Sequence, residues 1–122
     1  MNTLLLLTQA PSTPLAWHAV HLAEQLLRQG AQVRVFFYQD AVLIANALRW
    51  QPADEPNLAV AWRNLGIDLP VCVSAALYRG ITDADNAARH QLAGHNLANG
   101  FRLTGLGELA EATLDAERVI HL

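Results

Sequence analysis

The chain has 122 residues, a length that suits one compact domain with its own core. Apolar residues make up 52% of it and charged residues only 16%, below the usual quarter, which suits a subunit whose surface a neighbour partly covers. No stretch approaches the roughly 18 apolar residues of a membrane span. The net charge is −3 and the basic residues are eight scattered arginines, which argues against direct nucleic-acid binding.

Thr3 to Thr8 reads as a buried first strand. Its leucines follow Met1-Asn2-Thr3 with no basic residue, so they are no secretory signal. After the loop Gln9-Ala10-Pro11-Ser12, Thr13-Pro14 has the form of an N-cap with proline at the first helical position. Leu15, Ala19, Leu22, Ala23, Leu26 and Leu27 then recur at helical spacing, and Gly30 supplies the stop. Val33 to Tyr38, β-branched and aromatic, predicts the second strand. Asp40 is expected to cap a helix from about Ala41 to Arg49, followed by an exposed acidic loop from Pro52 to Pro56. Asn57 caps a short helix that Gly66 ends, with Leu58, Ala61, Trp62 and Leu65 on one face.

Leu69 to Val73 predicts the third strand, which carries Cys72, and Ala75 to Arg79 a short helix broken at Gly80. Thr82 to Asp85 has the spacing of a capping box and starts a helix reaching His90 or Leu97. A fourth strand is expected at Phe101 to Thr104, a last helix at Leu106 to Leu114, and a fifth strand at Arg118 to Leu122. Strands alternate with helices, and their apolar runs suit burial on both faces. The pattern is α/β, a parallel sheet between two helical layers, with no repeat and no second domain.

Cys72 is the only cysteine, so it has no partner for an internal disulfide, which fits a reducing compartment such as the cytoplasm. It stands where a parallel strand hands over to a helix. Ligands and chemistry collect at the carboxyl ends of strands in open α/β sheets, and a helix N-terminus favours a thiolate. Two readings stay open, a small core residue or a nucleophile. Arg79 is the only basic residue near it in sequence.

Gly105 to Ala110 fits the dinucleotide pattern G-x-G-x-x-A, but the chain has no room for the acidic ribose partner about 20 residues on. Its glycines read as a tight strand-to-helix turn. His18 and His21 could start a metal site but lack a third ligand at suitable spacing, and His90 and His95 cannot share a helical face. No metal is assigned. Of the three tryptophans, Trp50 beside the acidic loop is the candidate for a subunit contact.

Three segments together resemble the DsrE/TusD family of sulfur-transfer subunits. They are Val35 to Tyr38 with Asp40 to Val42 and Ala45-Asn46; Val71 to Gly80; and Asn96-Leu97 through Gly100-Phe101, Leu103 and Gly105 to Ala112. The resemblance implies a three-layer α/β/α fold around a five-stranded parallel sheet, one domain over residues 1–122. It also implies that Cys72 carries sulfur as a persulfide, without metal or organic cofactor, in a relay toward tRNA wobble 2-thiouridine. The partners it implies are TusB- and TusC-like subunits in a heterohexamer, a TusA-like sulfur donor and a TusE-like acceptor, with no direct nucleic acid and no membrane. A DsrE-like role in sulfur oxidation, a non-catalytic structural paralogue and a small-ligand binder of flavodoxin type are the alternatives.

Overall fold

The computed structural model describes residues 1–122. Five strands form one parallel sheet in the order β4-β3-β2-β1-β5: β1 Asn2–Leu7, β2 Gln32–Phe37, β3 Leu69–Cys72, β4 Phe101–Thr104 and β5 Arg118–His121. The helices are α1 Pro14–Arg28, α2 Leu58–Arg63, α3 Val73–Tyr78, α4 Ala84–Arg89 and α5 Leu106–Asp115, and a 3₁₀ helix spans Gln39–Ala45. The expected α/β class and five-stranded parallel sheet are both present.

Strand register sorts side chains onto two faces. Leu5 pairs with Val35 and Leu7 with Phe37, while Leu4 pairs with Arg34 and Leu6 with Phe36. Side chains alternate along a strand, so the odd-numbered residues of β1 and β2 share one face. That face meets α1 and α2: Leu7 lines a small cavity with Ala16 and Ala19, and Phe37 packs edge-on against Trp62 at 5.3 Å. The opposite face meets α5, as the Arg34–Asp115 ion pair shows. The topology explains the split. Successive crossovers from β1 to β4 step in one direction, and the last reverses past β1, so right-handed connections put α5 on the other side.

Several local expectations hold and others give way to tertiary packing. Pro14 opens α1 and Gly30, at φ +85°, lies beyond its end. The Thr13 hydroxyl donates to Ala10 O instead of capping the helix. The buried seam of α1 is Ala16, Ala19, Val20 and Ala23; Ala19 and Ala23 belong to the expected face, whose Leu15 is exposed. Small residues let the helix lie close to the sheet, with Leu22, Leu26 and Leu27 packed at its flanks.

The helix expected from Ala41 to Arg49 is instead a 3₁₀ helix ending at Ala45. Gln39 enters it at φ 50°, and Asn46 leaves it to form an isolated antiparallel bridge with Leu97. Asp40 does not cap it; its carboxylate accepts from Arg79 Nε at 3.0 Å. Further on, Asp83 rather than Thr82 caps α4, accepting from Asn86 N at 2.8 Å. The helix stops at Arg89 because Gln91 turns into the left-handed region at φ 57°.

Candidate functional site

Cys72 ends β3 and is at once the N-cap residue of α3, with φ −60° and ψ 119°. The apolar strand Leu69–Cys72 is buried throughout, and Ser74 is the first exposed residue after it. This is the strand-to-helix handover that the sequence implies, at a carboxyl end of the sheet. The thiol itself is not on the surface. Cys72 is only 1% exposed, it lines none of the main cavities, and its side chain makes no capping bond.

Register places Cys72 opposite Thr104, one residue beyond the Val71–Leu103 pair. Alternation therefore puts it on the face of the sheet that carries Arg102 and Thr104 and meets α5. Arg79 is not turned to the thiol. Its guanidinium donates to Asp40 Oδ1 and to Ala75 O, both at 3.0 Å, and so ties α3 to the 3₁₀ helix.

A polar cluster stands beside the Cys72 strand that sequence reading did not single out. Arg102 Nε donates to Asp68 Oδ1 at 2.8 Å, and Nη1 donates to Glu108 Oε2 at 2.9 Å. Nη2 reaches both carboxylates, and the Thr104 hydroxyl donates to Glu108 Oε2 at 2.5 Å. The Arg102 guanidinium, helped by the Thr104 hydroxyl, holds the Glu108 carboxyl down to about 2. The same guanidinium lowers the Asp68 carboxyl, and the two carboxylates raise Arg102 in turn. Period-two spacing of Arg102 and Thr104 on β4 was the available signal. Their acidic partners come from the residue before β3 and the first turn of α5.

The remaining sequence candidates do not join Cys72. Gly105 caps α5 at φ −85° and Gly107 lies within it, and a Cβ on either would meet nothing within 4 Å. The tight strand-to-helix turn is present, with Gly105 alone between β4 and α5, but neither glycine is sterically required there. His18 and His21 are exposed on α1, His90 is exposed at the end of α4, and His95 is exposed in the following loop. Trp62 is fully buried, Trp17 half-buried, and Trp50 82% exposed. Two neighbouring cavities of about 440 and 340 Å³ share Leu77 and Leu92, and the second begins at Ser74.

The DsrE/DsrF-like family model matches residues 1–122. Sulfurtransferase TusD of Pectobacterium carotovorum subsp. carotovorum (strain PC1) is 48% identical, over 97% of this chain and 95% of that protein. Sulfurtransferase TusD of Klebsiella pneumoniae (strain 342) is 44% identical, over 92% of this chain and 91% of that protein. The Cronobacter sakazakii (strain ATCC BAA-894) protein of the same name is 42% identical, over 98% and 97%. The crystal structure of the ychN protein from E. coli superposes with a TM-score of 0.75 at 22% identity, covering 100% of both chains, a likeness of fold. On these grounds the chain belongs to the DsrE/DsrF-like family.

Proposed function

We propose that this chain is a sulfurtransferase of the TusD kind. It accepts sulfane sulfur as a persulfide on Cys72 and passes it to a partner protein, in the relay toward 2-thiouridine at the tRNA wobble position. The observation that carries this reading is 42–48% identity to TusD sulfurtransferases over nearly the full length of both chains. Cys72 is the chain's only thiol, so a cysteine persulfide has no other place to form.

The chemistry is two displacements at sulfur. The Cys72 thiolate attacks the outer sulfur of a donor persulfide, forming Cys72–S–SH and releasing the donor's thiolate. An acceptor thiolate then attacks that outer sulfur, and Cys72 leaves as the thiolate. Each step breaks one S–S bond and forms one, with no net oxidation and no cofactor. Donor and acceptor thiols come from other proteins: a TusA-like donor, a TusE-like acceptor, and TusB- and TusC-like subunits in the assembly. No helix of the chain is long and apolar enough to cross a membrane. The reading places the chain in the cytoplasm, working as one domain over residues 1–122.

The burial of Cys72 favours a second reading, a structural subunit of the same family with an inert core cysteine. One experiment separates the two. The protein is incubated with a persulfidated donor protein and weighed by intact mass spectrometry. The transfer reading expects the gain of one sulfur atom, removed by reductant and absent in Cys72→Ser. Uptake that persists in Cys72→Ser would sink it, and no uptake by the assembled wild-type protein would establish the structural role.

A further inference from the structure

Arg49 and Arg63 are cations without carboxylate partners. The ion pairs of the chain use Arg28, Arg34, Arg79 and Arg102, and neither Arg49 nor Arg63 joins one. Both line a pocket of about 230 Å³ between the end of the 3₁₀ helix, α2 and the segment before β4. No acidic residue lines it. Asp54 and Glu55 belong to the exposed loop before α2, and Glu55 lines a neighbouring cavity that shares Arg49 and Asn57.

Among the side chains of this pocket only the Asn99 amide keeps a free acceptor oxygen; the other free groups are donors. Asn57 Oδ1 is occupied by Val60 N, and Asn46 Oδ1 by Leu48 N and the Asn96 amide. Those bonds fix the orientation of both side chains and leave their NH₂ groups without a protein acceptor. Asn99 adds a third side-chain amide. Arg63 is held in place: its Nη1 donates to Asn99 O at 3.3 Å, and its stem crosses Gly100, where a Cβ would stand 3.0 Å from Arg63 Cδ. Gly100 is at φ +90°. Arg49 Nε is buried with no hydrogen-bond partner, and burial lowers the guanidinium's pKa. A partly desolvated cation without a counter-charge is costly, and a bound anion would offset that cost.

We infer that the Arg49–Arg63 pocket binds a small tetrahedral oxyanion of the phosphate or sulfate type, either free or as the terminal group of a small molecule. Two guanidiniums and three amides, brought from three separate segments, surround the space with donors and suit a ligand that presents acceptor oxygens on several sides. The volume holds such an ion with several waters, or with a small organic group attached. The pocket adjoins the residues that lead into β4, whereas Cys72 closes the opposite, carboxyl end of β3. It is a site separate from sulfur transfer and does not rest on that reading.

The test is an NMR titration of the 122-residue chain with inorganic phosphate, with sodium chloride at matched ionic strength as control. Sulfate, glycerol phosphate and acetate form parallel arms. Saturable shifts at Asn57, Arg63 and Asn99 are expected with phosphate. They should weaken about tenfold in Arg49→Gln and in Arg63→Gln, while Arg28→Gln on α1 binds as wild type. Arg63→Lys, which keeps the charge and the stem over Gly100, should recover part of the loss; circular dichroism confirms that each variant is folded. Tighter binding of glycerol phosphate identifies an esterified ligand, and equal or weaker binding a free ion. The inference is overturned if phosphate gives no saturable response by about 10 mM, if chloride reproduces the response, if acetate binds more tightly, or if the folded Arg→Gln variants bind unchanged.

Discussion

Cys72 and Thr104 stand opposite each other in the β3–β4 ladder, and the Thr104 hydroxyl is turned to Glu108. The strand pair that carries the thiol is thus joined to α5 through a carboxylate. Arg102 and Thr104 hold Glu108 at about 2, against an ordinary value of 4.5. A carboxyl depressed on folding contributes stability that is full above its unfolded pKa and lost as pH falls through the folded one. Asp68 shifts in the same direction. The urea midpoint should therefore hold from pH 7 to about 5 and drop between about pH 4.5 and 2. Glu108 and Asp68 are partly open to solvent, so the effect should be about 1 kcal/mol or less. In Arg102→Met that window should flatten, and an unchanged acid limb would rule the cluster out as its source.

Burial of Cys72 has a kinetic signature. A thiolate must be reached before it reacts, so alkylation of the native chain waits for a local opening. Native labelling by iodoacetamide should be slower than in 8 M urea by about a hundredfold or more. Adding the partner subunits or the persulfide donor should speed it if they open the site. Equal rates in water and urea would contradict the packed position of the thiol.

Trp62 is fully buried against Phe37, which also meets Phe101 edge-on at 5.4 Å. Trp62→Ala should cost about 3–5 kcal/mol by urea denaturation. The indole N–H has no hydrogen-bond partner, so Trp62→Phe also removes an unpaired donor and should cost only about 1–2 kcal/mol. Equal costs for the two variants would show that ring packing is not what the site supplies.

Asn96 joins three segments with one side chain. It accepts from Thr82 N and donates to Gly80 O and to Asn46 Oδ1, at 3.0–3.1 Å. Thr82 is buried, so Asn96→Ala leaves its N–H without an acceptor and should cost about 2 kcal/mol. Asn96→Asp should not rescue it, because a carboxylate oxygen would then face two acceptors. Recovery of wild-type stability in Asn96→Asp would show that only the Thr82 bond counts.

Element order and type were legible in the sequence where capping chemistry and apolar runs agreed. Pro14 and Gly30 bracketed α1, and Asn57 and Gly66 bracketed α2. The buried side of α1 was legible through Ala19 and Ala23, but leucine periodicity did not say how near the sheet stands, so Ala16 and Val20 were missed and Leu15 lies exposed. The Ala41–Arg49 helix failed for a related reason. Ala41, Val42, Ile44 and Ala45 are all buried, so no period marks the element. The bridge that ends it comes from Leu97, half the chain away. At the site, the place of Cys72 on the strand-to-helix joint could be read locally. Its burial and the carboxylates around Arg102 depend on neighbours distant in sequence. Arg49 and Arg63 looked scattered because their shared pocket exists only once α2 and residues 97–99 are folded together.

Cys72 is packed to 1% exposure at the single residue where strand becomes helix. A persulfide lengthens that side chain by one S–S bond, about 2.05 Å, in an interior filled as densely as an organic crystal. On the transfer reading, cargo cannot be added without displacing something: the thiol must swing outward or α3 must shift its first turn. Laden and empty carriers then differ in outline. A donor could recognise one form and an acceptor the other, and the direction of the relay would be set by shape before any sulfur is exchanged.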